Sequence, residues 1–88
     1  MSSFSLKIKG SAVKELNKLP SFIFKPLDFK IRSLTTDPYP FQSKKLQSSE
    51  SMYRVRVGNY RIIYSVDKKN KMILIEAVKH RKDSYRGI

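Results

Sequence analysis

Apolar and polar residues alternate at the start of the chain, where Phe4, Leu6 and Ile8 are interleaved with Ser5, Lys7 and Lys9. A period of two is that of a half-buried strand, so the chain opens on a short strand. The spacing then changes. Ala12, Val13, Leu16 and Leu19 form one apolar stripe at helical intervals, with Ser11 placed to cap its start and Pro20 to stop it. Phe24, Leu27, Ile31 and Leu34 repeat at steps of three and four and predict a second helix, in which Pro26 has to lie in the first turn or kink the run. The segment DPYPFQSKKLQSSES, Asp37 to Ser51, carries two prolines and many polar residues and reads as a connecting loop, long for so small a protein.

The period of two returns at Met52. YRVRVGNYRIIY, Tyr53 to Tyr64, alternates, turns at Gly58-Asn59 and alternates again, the pattern of a hairpin. A loop at DKKN, Asp67 to Asn70, leads to the apolar run MILIEAV, Met72 to Val78, and then to the polar tail KHRKDSYRGI. The order strand, helix, helix, strand, strand, strand predicts a single α+β domain over residues 1–88. Its sheet is four-stranded and antiparallel, with the two N-terminal helices packed on one face and the other face open.

A two-residue turn at Gly58-Asn59 sets Val57 opposite Tyr60, Arg56 opposite Arg61, Val55 opposite Ile62 and Arg54 opposite Ile63. Val55, Val57, Tyr60 and Ile62, joined by Tyr53 and Tyr64, then face the core, while Arg54, Arg56 and Arg61 share the open face. Like charges directly across a strand pair cost from a few tenths to about 1 kcal/mol, so stability gives no reason for facing Arg56 with Arg61. An anionic ligand reverses the sign. Guanidinium groups grip phosphate through paired hydrogen bonds and keep their proton in a protein. The alternative is a solvated strand face with one ion pair: if the DKKN loop pairs Val66 with Lys71, Glu76 falls beside Arg61 and neutralises it.

Charge sharpens the choice of partner. The 88 residues carry a formal net charge of +12, with seven Lys/Arg against three Asp/Glu up to Ser43 and twelve against four after it. Such an excess points to a polyanion, nucleic acid first and an acidic protein second. Cysteine is absent, which rules out disulfides and thiolate metal sites and suits a reducing cytosol. No apolar run approaches the roughly 18 residues of a membrane span, and MSSFSLKIKG lacks the apolar core of a signal peptide. The expectation is a soluble cytoplasmic protein with no membrane partner. Neither a metal-ligand cluster nor a glycine-rich phosphate loop is present, so any catalysis runs without metal or cofactor. RNA offers such a route, because its own 2′-hydroxyl attacks the neighbouring phosphate once that phosphate is positioned and its charge stabilised.

Other residues are candidates for the same groove. In the tail, His80, Arg81, Lys82, Tyr85 and Arg86 follow a strand that neighbours the arginine hairpin and stand to close one end of the groove. His80 belongs to the residue type that exchanges protons near neutral pH, although a lone histidine in a basic tail is more often simply exposed. Tyr85 has three available roles: stacking on a base, moving a proton, or packing on the sheet edge. Lys44 and Lys45 either extend the phosphate path or are solvated loop lysines.

The stretch YRVRVGNYRIIYSVDKKNKMILIEAVKHRKDSYR, Tyr53 to Arg86, supported by AVKELNKLP, Ala12 to Pro20, resembles the RelE toxins of the RelE/ParE superfamily, the toxin half of bacterial and archaeal toxin–antitoxin pairs. The resemblance implies a compact β-α-α-β-β-β toxin that enters the ribosomal A site and cuts mRNA, leaving a cyclic phosphate and a 5′-hydroxyl. It also implies a RelB-like antitoxin, acidic in its toxin-binding segment, that wraps the toxin and blocks its groove. By the same resemblance Arg54 and Arg56 bind or activate at the scissile phosphate and Arg61 clamps it. Arg81 stabilises or protonates the leaving oxygen, and Tyr85 stacks on the substrate base or assists proton transfer. Some relatives carry lysine where Arg54 and Arg56 stand, and a lysine can serve as a base where an arginine cannot. The base is therefore unassigned, with Tyr85 and His80 remaining. The tail stops three residues after Tyr85, short of the further terminal helix of some relatives. Two other activities fit the same fold: a ParE-like toxin acting on DNA gyrase, or a degenerate basic module that binds nucleic acid or an acidic peptide without cutting.

Overall fold

The structure, a computed structural model, describes residues 3–46 and 51–81. In chain order it comprises β1 (Ser5–Ile8), α1 (Gly10–Asn17), α2 (Ser21–Ser33), β2 (Lys44–Lys45), β3 (Met52–Val57), β4 (Tyr60–Asp67) and β5 (Met72–His80). The strands form one sheet in the order β1-β5-β4-β3-β2. This corrects the expected four-stranded antiparallel sheet to a five-stranded mixed one. β1 lies parallel to β5, with Ser5 opposite Met72 and Ile8 opposite Ile75. β2 lies antiparallel to β3 at the far edge, with Lys44 opposite Arg54 and Lys45 opposite Tyr53. A period of two identifies a strand but not its partner or direction, and two polar residues are too few to show a period at all.

The helices cover one face of this sheet, α1 over β5 and α2 over β3. Ala12 and Leu16 of α1 and Leu27 and Ile31 of α2 are buried against Val55, Ile62, Tyr64, Val66, Ile73, Ile75 and Val78. The predicted stripes are therefore the packed ones except at Val13, which is 38% exposed, and two local details differ. α1 begins after Lys9 with no side-chain cap, and Ser11 lies inside its first turn. Pro26 is the sixth residue of α2, past the first turn, where it has no N–H to give the carbonyl of Phe22. Phe22 is 76% exposed, so water reaches that end of the helix. Among the described residues no helix is long and apolar enough to cross a membrane.

Candidate nucleic-acid interface

The β3–β4 hairpin has the register that its sequence predicts: Val57 opposite Tyr60, Arg56 opposite Arg61, Val55 opposite Ile62 and Arg54 opposite Ile63. Gly58 has φ +60° while Asn59 does not enter the left-handed region, the geometry of a type II′ turn with glycine in its first central position. Val55 and Ile62 are fully buried, so Arg54, Arg56 and Arg61 stand on the face away from the helices. Arg56 donates from Nε to the Gly58 carbonyl at 2.9 Å, which fixes its guanidinium beside the turn. Lys44, directly opposite Arg54, joins the same face. Together with Gln42, Gly58 and Arg61 these residues line an open groove of about 520 Å³.

The next strand pair departs from expectation. β4 and β5 are in one register from Asp67 opposite Met72 to Tyr64 opposite Ile75, then shift by one residue between Ile63 and Tyr64. Beyond the shift, Arg61 lies opposite Lys79. The expected pairings of Val66 with Lys71 and of Arg61 with Glu76 are thus corrected: Val66 lies opposite Ile73, and Glu76 is the extra residue of a bulge. Its carboxylate receives the Lys9 ammonium at 3.0 Å and the Ser65 hydroxyl at 3.4 Å. Arg61 stands instead between two cations, Arg56 on one side and Lys79 on the other. Sequence reasoning missed Lys79 and Gln42. The alternation along β5 would have found Lys79 only if the bulge at Glu76 had been foreseen.

The remaining candidates divide between the two faces. Lys45 lies opposite Tyr53, a residue packed against the core, and so points away from the arginines. His80 lies opposite Tyr60 with its ring edge-on at 5.0 Å, on the helix side of the sheet and not in the arginine groove. Arg81 is exposed, and its backbone N–H donates to the Asn59 carbonyl at 2.6 Å, which brings it to the turn end of the groove. Lys82, Tyr85 and Arg86 lie outside the described residues.

The long loop before β3 is anchored by aromatic contacts. Tyr39 packs edge-on against Tyr53 at 5.1 Å, and Tyr53 stacks on Tyr64 at 5.9 Å. The buried Tyr64 hydroxyl donates to the Pro38 carbonyl at 2.8 Å. Burial pushes this phenol's pKa up to about 12; a Ser43 hydrogen bond partly opposes the shift, and the neighbouring Tyr53, Asp37 and Tyr39 add to it. A rigid aromatic stack under the loop sets the β2 edge beside Arg54.

Comparison with known proteins identifies the class. A family model described as the ParE toxin of the type II toxin–antitoxin system parDE matches residues 6–85. A protein of Methanocaldococcus jannaschii named as toxin RelE1 is 33% identical over 87 residues, 96% of this chain and 97% of that protein. The archaeal RelE–RelB complex from Pyrococcus horikoshii OT3 contains a chain of similar fold, with a TM-score of 0.81 and 34% identity, covering 90% of this chain and 96% of that one. The RelBE2 toxin–antitoxin complex of Mycobacterium tuberculosis gives 0.77 and 26%, with 90% and 99% covered. The chain belongs to the RelE/ParE superfamily of type II toxin–antitoxin toxins, within which it is of the RelE type.

Proposed function

We propose that this toxin is a ribosome-dependent endoribonuclease that enters the A site in the cytoplasm and cuts mRNA without a metal. The single observation behind this reading is the direct opposition of Arg56 and Arg61 on the open face, in one groove with Arg54 and Lys44. Two guanidinium groups across one strand pair converge on one phosphate and spread its growing charge over several donors. The 2′-hydroxyl of the preceding ribose attacks the phosphorus, and the bond to the 5′-oxygen breaks, leaving a 2′,3′-cyclic phosphate and a 5′-hydroxyl. Arg81, tied by its backbone to the hairpin turn, faces the leaving oxygen. Tyr85 stacks on the base or relays a proton. Lys44 and Arg54 hold the strand on the β2 side, and Lys82 and Arg86 add positive charge from the tail. Lys45 and His80, which point to the other face, serve contacts outside the cleavage groove.

The partner we propose is a RelB-like antitoxin that lays acidic residues in the arginine groove, a reading supported by the similar folds found in the Pyrococcus RelE–RelB and Mycobacterium RelBE2 toxin–antitoxin complexes. The match to a ParE family model keeps gyrase as the second target to test, since both activities share the fold. Primer extension on ribosome-bound mRNA after toxin induction should map cuts within the A-site codon. Inhibited supercoiling by gyrase, with mRNA intact, would assign the protein to the second activity.

A further inference from the structure

We propose that Lys79 is an additional RNA-binding residue of this site. It holds the phosphate adjacent to the one gripped by Arg56 and Arg61, so that the RNA crosses β3, β4 and β5 instead of running along them. The inference rests on the nuclease reading for its substrate and on the sheet register for its geometry.

Arg56, Arg61 and Lys79 are directly opposite one another on three neighbouring strands. Strands lie about 4.8 Å apart, so the row is roughly 10 Å long, more than a single phosphate occupies. The bulge at Glu76 creates this row. Were the register of Tyr64 with Ile75 to continue, Arg61 would face Val78, and Lys79 would face Tyr60 on the helix side. The extra residue turns Val78 into the core opposite Ile62, where it is buried, and turns Lys79 out beside Arg61. Bulges that re-aim a side chain in this way recur next to active sites.

A third cation in the row adds a second like-charge contact, each costing from a few tenths to about 1 kcal/mol. Glu76, the acid of the same strand, is engaged with Lys9 and Ser65. Among the described residues none bonds the exposed Lys79 ammonium. The residue types also divide the work. Arginine's planar fork fits a phosphate that must be held in one orientation, whereas lysine is a point charge on a flexible stem, suited to a flanking phosphate.

The test uses the whole toxin and a fluorescent single-stranded 2′-O-methyl RNA oligonucleotide, which has no free 2′-hydroxyl and is not cut. Anisotropy titrations at several salt concentrations give the slope of log K against log salt. Each lost phosphate contact on a single strand should flatten that slope by roughly 0.7. Lys79→Ala and Lys79→Gln should each show that loss with about tenfold weaker binding, while Lys79→Arg restores both. Lys14→Ala, an exposed lysine on α1, should match the wild type. If Lys79 and Arg61 hold separate phosphates, Arg61→Ala combined with Lys79→Ala should flatten the slope by the sum of the two. A wild-type slope in Lys79→Ala, a double variant no flatter than either single one, or no binding by the wild type would overturn the proposal. Absence of mRNA cleavage on the ribosome, by contrast, would sink the nuclease reading and leave these slopes to decide the role of Lys79.

Discussion

Arg61 is the residue on which the groove converges, with Arg56 and Lys79 as its cross-strand neighbours. Its substitution separates catalysis from folding. Arg61→Ala should lower mRNA cleavage by about 100-fold or more, the order seen when a preorganised donor to a developing anion is lost. Because Arg61 points away from the core, the folding free energy should stay within about 1 kcal/mol of wild type in a denaturant titration. Retained growth arrest would remove Arg61 from the site. Tyr64 behaves in the opposite way, since its hydroxyl supports the fold. A phenol whose folded pKa lies near 12, above the usual 10, favours folding while protonated. That contribution is complete below about pH 10 and declines as pH rises toward 12, by roughly 2 to 3 kcal/mol in total. Tyr64→Phe should lose about 1 kcal/mol near neutral pH with its hydrogen bond to Pro38, and should flatten the alkaline fall in stability. An unchanged alkaline profile in Tyr64→Phe would show that another group controls it.

At the scale of elements, the hairpin turn and the bulge determine which cations meet. Gly58 has φ +60°, and a Cβ added there meets nothing within 4 Å, so the cost of a side chain is purely one of backbone conformation. Gly58→Ala should therefore destabilise by about 1 to 2 kcal/mol, measured by thermal or chemical unfolding, and should weaken cleavage by loosening Arg56 and Arg81 at the turn. A neutral result would mean that the turn accepts another geometry. The turn was legible in advance because Gly-Asn between two alternating runs fixes a two-residue hairpin, and with it the positions of Arg54, Arg56 and Arg61. The stripes Ala12 to Leu16 and Leu27 to Leu34 were legible for the same reason of period. What stayed hidden depends on pairing over long separations. Nothing in Phe4 to Ile8 reveals that β1 joins β5 in parallel. The turn at DKKN pairs Val66 with Ile73 where Lys71 was expected, and one residue inserted at Glu76 leaves no mark on an apolar run; together they put Lys79 in place of Glu76 beside Arg61, and the inserted residue moves His80 to the other face.

For the whole molecule, a net charge of +12 is a source of self-repulsion that an anionic partner relieves. Antitoxin binding should weaken as salt rises, because exposed charges are screened over about 10 Å at 0.1 M ionic strength. Surface plasmon resonance across a salt series should show this mainly as faster dissociation if the charges are buried in the complex, and as slower association if they lie at its rim. A salt-independent affinity would contradict an electrostatic interface. The most direct measurement is primer extension on mRNA held by ribosomes, comparing the wild type with Arg61→Ala. Cuts at the A-site codon with the wild type, lost in the variant, are the predicted result. Intact message with both, or equal cutting by both, would contradict catalysis by the arginine face.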